Sequence, residues 1–131
     1  MLKCVQFKKM EELRCLQLMC RFEILDVIEM HLNKTASDTV IDIPGMKFLR
    51  LDRKRRKDGE CVLYYAQHFQ ALHRNDLPTS GVEAAWLQVN FPSSSVLFSV
   101  IYRLPDGSQF FDLIGSLLEK AWFKKNQTTF Y

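Results

Sequence analysis

Phe22-Glu23-Ile24-Leu25-Asp26-Val27-Ile28, followed by Glu29, is a mostly apolar run of strand length. It does not alternate strictly between polar and apolar, the pattern of a strand whose two faces are both covered. Directly before it, Phe7, Met10, Leu13 and Leu16 recur every three residues, with Lys8, Lys9, Glu11, Glu12 and Arg14 between them. That period predicts an amphipathic helix over about Phe7 to Cys20 with one face turned inward. A helix leading into a doubly covered strand implies a sheet with helices packed against it.

Downstream of a polar stretch holding Asn33, Thr35, Ser37 and Asp38, the run Val40-Ile41-Asp42-Ile43 reads as a brief strand stopped by the Pro44-Gly45 turn. Met46 to Leu51 resumes extended chain, and Cys61 to Ala66 is the returning strand. Between them Arg53-Lys54-Arg55-Arg56-Lys57-Asp58-Gly59 combines consecutive cations with a turn signal, the composition of a solvent-exposed loop. Ala84 to Val89, around Trp86, and Val96 to Tyr102 are two further strands, and the turn-rich link Phe91-Pro92-Ser93-Ser94-Ser95 makes them antiparallel neighbours. Asp106-Gly107-Ser108 offers capping residues, after which Phe111, Ile114, Leu117, Leu118, Ala121 and Trp122 repeat at helical spacing to about Lys125. Thr128-Thr129-Phe130-Tyr131 reads as the start of another strand. The expected class is α/β (α+β), a partial mixed β-sheet with packed helices, in one unit over residues 1–131 without repeats or a dividing linker.

Composition narrows the function classes. The 131 residues are 47% hydrophobic and 25% charged, the balance of one ordinary folded domain. Eighteen basic and fifteen acidic residues leave a formal net charge of +3, too small for the total alone to imply a nucleic-acid partner. Cys4, Cys15, Cys20 and Cys61 form no CxxC pair, and His31, His68 and His73 complete no zinc spacing with them. Buried free thiols in a reducing compartment, nuclear or cytoplasmic, are the expected meaning of the cysteines. The N-terminal Met1-Leu2-Lys3-Cys4-Val5-Gln6-Phe7-Lys8-Lys9 is interrupted by lysines where a signal peptide needs a continuous apolar stretch. No apolar run reaches the roughly 18 residues that span a bilayer, so no membrane partner is expected.

Four stretches, in this order, resemble the apurinic-type endonuclease domain of non-LTR (LINE-type) retrotransposons, within the endonuclease/exonuclease/phosphatase superfamily. Lys9-Met10-Glu11-Glu12-Leu13-Arg14 is similar to that family's first helix. Phe22-Glu23-Ile24-Leu25 followed by Glu29-Met30-His31-Leu32 stands where the family has a strand leading into Glu-Thr-Trp-Leu, with His31 in place of the tryptophan. Ser37-Asp38 and Ile43-Pro44-Gly45 look like its next loop and turn, and Leu51-Asp52-Arg53 through Gly59 with Val62-Leu63-Tyr64 like its Asp-Arg, glycine-rich loop and strand. Only Gly59 remains of the usual glycines there. Trp86-Leu87-Gln88-Val89 and Val100-Ile101-Tyr102-Arg103 with Pro105 resemble the paired strands that end in Tyr-Arg-Pro-Pro, and Phe110 to Trp122 the helix that follows. The resemblance implies half of a two-sheet sandwich.

It also implies a chemistry. Phosphodiester hydrolysis needs a cation against developing charge, a base to activate water and donors on the non-bridging oxygens. Glu29 matches the family's metal-binding glutamate, which implies magnesium, an ion that commonly takes one or two protein carboxylates. From composition and position alone it is an ordinary exposed acid. Tyr102 matches a catalytic tyrosine that borders the active site and helps hold the phosphate, a task its hydroxyl can perform as a donor. A half-buried tyrosine at a strand end is the bland alternative. Arg53, Lys54, Arg55, Arg56 and Lys57 are candidates for DNA phosphates, against the commoner meaning of a solvated loop.

The family's opening strand, with an asparagine near the metal, falls at or before Met1, and Leu2 stands where the asparagine is expected. Its Gly-Asp-Phe-Asn and Ser-Asp-His motifs fall beyond Tyr131. The expectation is therefore a retrotransposon-type endonuclease fragment, inactive alone, with a non-catalytic nucleic-acid-binding or protein-interaction module as the alternative. A half sheet also predicts self-association through an unpaired edge.

Overall fold

The computed structural model describes the backbone of residues 2–6, 10–30, 37–51, 60–77, 83–102 and 110–128, and the side chains of 10–28, 37–51, 61–77, 83–101 and 111–124. Among the described residues seven strands form two sheets, with a helix on the outer face of each. In the first sheet β1 (Leu2–Gln6), β2 (Ile24–Met30), β4 (Glu60–Ala66) and β3 (Met46–Leu51) lie in that spatial order. In the second, β5 (Gln70–His73), β6 (Glu83–Asn90) and β7 (Ser95–Tyr102) follow chain order. Helix α1 spans Met10–Cys20 and α2 Phe110–Thr128. The mixed α/β class holds: β1 and β2 are parallel and every other pairing is antiparallel.

Alternation along each strand builds three layers of core. Leu25 and Val27 of β2, Val62 and Tyr64 of β4 and Met46 of β3 face α1 and bury Leu13. Ile24, Cys61, Leu63 and Tyr65, on the opposite faces, meet Leu87 and Val89 of β6 and Val100 of β7 between the sheets. Trp86 and Leu77 meet Leu117 and Ala121 of α2 on the far side. β2 is thus apolar in both directions because it is sandwiched in both, as its sequence implies.

α1 is fastened by polar contacts as well as by its apolar face. Arg14 donates from Nε to the Asp42 carbonyl at 2.9 Å and from Nη2 to the Val40 carbonyl at 2.8 Å. At the helix end Arg21 takes a positive φ of 48°, a position usually left to glycine, and its N–H returns to the Gln17 carbonyl at 2.8 Å. The Gln17 side chain then holds the Phe22 backbone through both its N–H and its C=O, at 3.2 and 2.8 Å.

Several sequence expectations change. Val40 to Ile43 is not a strand: Asp38–Val40 is a 3-10 turn, and Ile41 and Ile43 bury their side chains beneath α1 as an irregular plug. The Tyr64 hydroxyl donates to the Ile41 carbonyl at 2.7 Å, which supplies the partner that a neighbouring strand would have given. Burial pushes that phenol well above its ordinary range. Pro44-Gly45 is a turn as read, with φ +83° at Gly45 and the Met46 N–H bonded to the Ile43 carbonyl at 3.0 Å, the pattern of a type II turn. The lysine-broken start contains β1, and β5 arises from a stretch with no strand signal. α2 extends through Thr128, where a strand was expected to begin, and α1 is described from Met10, with Phe7 outside the described residues. Of the thiols, Cys61 is buried, whereas Cys15 and Cys20 lie exposed on α1.

Candidate functional site

Pairing register fixes where the predicted site residues fall along each sheet. Glu29 is the penultimate residue of β2, beside Met30, which pairs with Glu60 at the start of β4. β4 leaves the first sheet at the opposite end, after Ala66, into the short turn that begins β5 at Gln70. Leu51 pairs with Cys61, so the link of residues 52–59 departs and returns at Glu29's end. In the second sheet Gln70 pairs with Asn90, while Tyr102 pairs with Glu83 at the far end of β6. Glu29 and the flanks of the basic run therefore stand at the end of the first sheet remote from the β4–β5 turn, and Tyr102 stands at the end of the second sheet remote from Gln70. Arg53 to Lys57 themselves lie outside the described residues, as do the side chains of Glu29 and Tyr102.

The pairing between β2 and β4 shifts register between Val27 and Met30. Such irregularities re-aim the side chains at a strand end and often stand beside sites. Glu60 pairs with Met30, the residue after Glu29. A carboxylate at a sheet end suits magnesium, which fills its remaining positions with water or phosphate oxygen. Among the described residues, no group of three His, Cys, Asp or Glu could hold a metal ion.

The described histidines stand elsewhere. His68 is exposed in the β4–β5 turn. His73 places Nε2 3.0 Å from the Tyr65 hydroxyl, and Tyr65 pairs with Ile24 at the start of β2. Burial raises the Tyr65 phenol, so it remains a neutral hydrogen-bonding partner for the imidazole. His31 lies outside the described residues.

One polar cluster had no sequence signal. Arg74, 4% exposed, grips Asp76 with Nε and Nη2 at 2.8 and 2.9 Å and donates from Nη1 to the Gln88 side-chain oxygen. Gln88 passes the contact to Asn90 at 2.9 Å, which also accepts from Ser95 at 2.8 Å, and Lys124 of α2 donates to the Asp76 carbonyl. These groups close on one another, which makes the cluster a clasp between the segment after β5, the β6–β7 hairpin and α2. Arg74→Met should lower unfolding free energy by about 1–3 kcal/mol at neutral pH in urea denaturation, because the Gln88 oxygen is left buried without its donor. The Arg74 hydrogen bond holds the Asp76 carboxyl below its usual value. That contribution is complete above the unfolded carboxylate value and lost as pH falls through the lower folded one, so the gap between variant and wild type should narrow below about pH 4.

Among the described residues, no helix is long and apolar enough to cross a membrane. No family model matches the chain, and no curated protein matches it.

Proposed function

We propose that this chain is an endonuclease-like domain of the LINE-type retrotransposon kind, working in the nucleus or cytoplasm, which binds DNA phosphates at one end of its sandwich and does not cut DNA on its own. The reading is supported by strand register, which sets Glu29 and the flanks of residues 53–57 at one end of the first sheet and Tyr102 at the end of β7 away from the Ser95 turn. A loop of five cations supplies affinity without sequence preference, since phosphate contacts carry no base information. Glu29 would hold magnesium, whose chemistry is to neutralise charge on a phosphate, and the Tyr102 hydroxyl would donate to a phosphate oxygen.

Cleavage needs a positioned base as well. Neither described histidine is at this end, since His68 sits in the β4–β5 turn and His73 is engaged with Tyr65. Purified chain incubated with supercoiled plasmid and Mg²⁺ is expected to retard the DNA and leave it un-nicked. Nicking that disappears in Glu29→Ala would overturn the non-cleaving part of the proposal, and failure to retard the plasmid would overturn the binding part.

A further inference from the structure

The outward face of α1 holds large apolar side chains in solvent. Leu13 points into the core, and at about 100° per residue Glu11, Glu12, Cys15, Leu18 and Met19 fall within about 120° on the opposite side of the helix. Leu18 is 77% exposed and Met19 83%, and Cys15, one turn before them, is exposed as well. Along this face Glu11, Glu12, Cys15, Leu16 and Met19 line an open groove of about 380 Å³ whose walls are almost wholly apolar. Single exposed apolar residues are ordinary on a folded domain, whereas two large ones side by side at an apolar groove have the make-up of a contact surface.

Charge on this face has one sign. Glu11 and Glu12 occupy the first turn of α1, and its last turn contains no basic residue. Arg14, the one cation of the helix, donates instead to the carbonyls of Asp42 and Val40. The face is therefore acidic at its N-terminal end and apolar at its C-terminal end, the two being about seven residues or 10 Å apart. The Arg14 bonds, the buried Leu13 and the grip of Gln17 on Phe22 hold α1 in place at both ends of that stretch.

This pattern disfavours two occupants. Glu11 and Glu12 repel a phosphate backbone. A second copy of α1 fits poorly in either direction: laid antiparallel about a two-fold axis at Cys15, it would press each pair of carboxylates against the apolar Leu18 and Met19 of the other copy, and laid parallel it would bring like charges together.

We propose that the outward face of α1 docks a cationic amphipathic helix of a partner protein, laid antiparallel to α1, with its apolar residues over Leu18 and Met19 and its lysines or arginines over Glu11 and Glu12. The sense of the pairing follows from helix electrostatics. Cations are favoured in the last turns of a helix and acids in the first, so a partner with apolar anchors followed by basic residues matches both ends of α1 only when the two helices run in opposite directions. The apolar contacts supply affinity, and the charge pairs select the partner and its direction. The proposal rests on α1 alone and is independent of DNA binding at the sheet end.

A displayed library of helical peptides of about 16 residues, randomised along one face, is selected against the full chain. Enriched peptides are expected to carry Leu, Ile or Phe on that face and Lys or Arg about seven residues further toward the C-terminus. Fluorescence anisotropy of one enriched peptide then reads affinity for purified variants. Met19→Lys, and separately Glu11→Lys with Glu12→Lys, are each expected to weaken binding about 10-fold or more. A peptide whose basic residues are replaced by glutamate is expected to recover binding to the doubly substituted variant. Phe123→Lys, 62% exposed on α2 in the opposite outer layer, is expected to leave affinity unchanged. Leu18→Lys gives the same reading if Met19→Lys does not fold. No enrichment, enrichment of acidic peptides, or binding indifferent to the α1 variants would each overturn the proposal.

Discussion

Leu13→Ala is expected to lower the unfolding free energy by about 3–4 kcal/mol, whereas Leu18→Ala, on the same helix, should change it by about 0.5 kcal/mol or less. Leu13 is fully buried against Leu25, Val27, Val62 and Tyr64, and it is the one buried residue of α1; Leu18 is 77% exposed. Truncating Leu13 removes apolar contact and leaves a cavity beneath a helix of only 11 residues, too short to persist without its docking face. A domain of this size typically has about 5–15 kcal/mol of stability, so the loss is a large fraction of it, and the melting temperature should fall by on the order of 10 °C. Urea and thermal denaturation of the two variants side by side check both numbers. Equal effects would mean that α1 is not packed through Leu13.

The contrast between those leucines is also a measure of what the sequence discloses. Spacing of Met10, Leu13 and Leu16 identifies the inward face of α1, and the mostly apolar, non-alternating run of β2 reveals that both its faces are covered. The β6–β7 hairpin is legible because its turn residues separate two β-rich runs. Val40 to Ile43 misleads for a physical reason: β-branched residues fit a buried irregular plug as well as a strand, and what decides is whether a neighbouring backbone is present. There the partners are the side chains of Arg14 and Tyr64, 26 and 23 residues from their acceptors, a pairing with no local signature. β5 is short and carries Gln70 and His73, so it has no apolar run to announce it, and β1 is masked by Lys3. For the candidate site, residue types and their order were readable. Their positions along the strands were not, because these depend on the register of β2, β4, β6 and β7. The Arg74 clasp was invisible for the same reason: a lone arginine after a short strand gives no hint of Gln88 fourteen residues on.

Neutralising the basic run has the largest effect expected on binding. If Arg53, Lys54, Arg55, Arg56 and Lys57 each meet one phosphate, binding releases a counterion at each, and the logarithm of affinity falls with the logarithm of salt at a slope of about −4.5. Between roughly 50 and 200 mM salt the wild-type chain should then lose about 10²–10³ in affinity, whatever the DNA sequence. Replacing all five by glutamine removes that term and leaves the net charge acidic. The run lies between β3, which ends at Leu51, and β4, which begins at Glu60, and the variant's melting temperature is measured alongside to show that it is folded.

Fluorescence anisotropy of a short labelled duplex, titrated with wild type and the five-glutamine variant across that salt range, tests the nucleic-acid assignment most directly. A slope of about −4.5 for the wild type, collapsing toward zero in a variant that is still folded, is the predicted result. No binding by the wild type at low salt, or the same slope in both proteins, would contradict it.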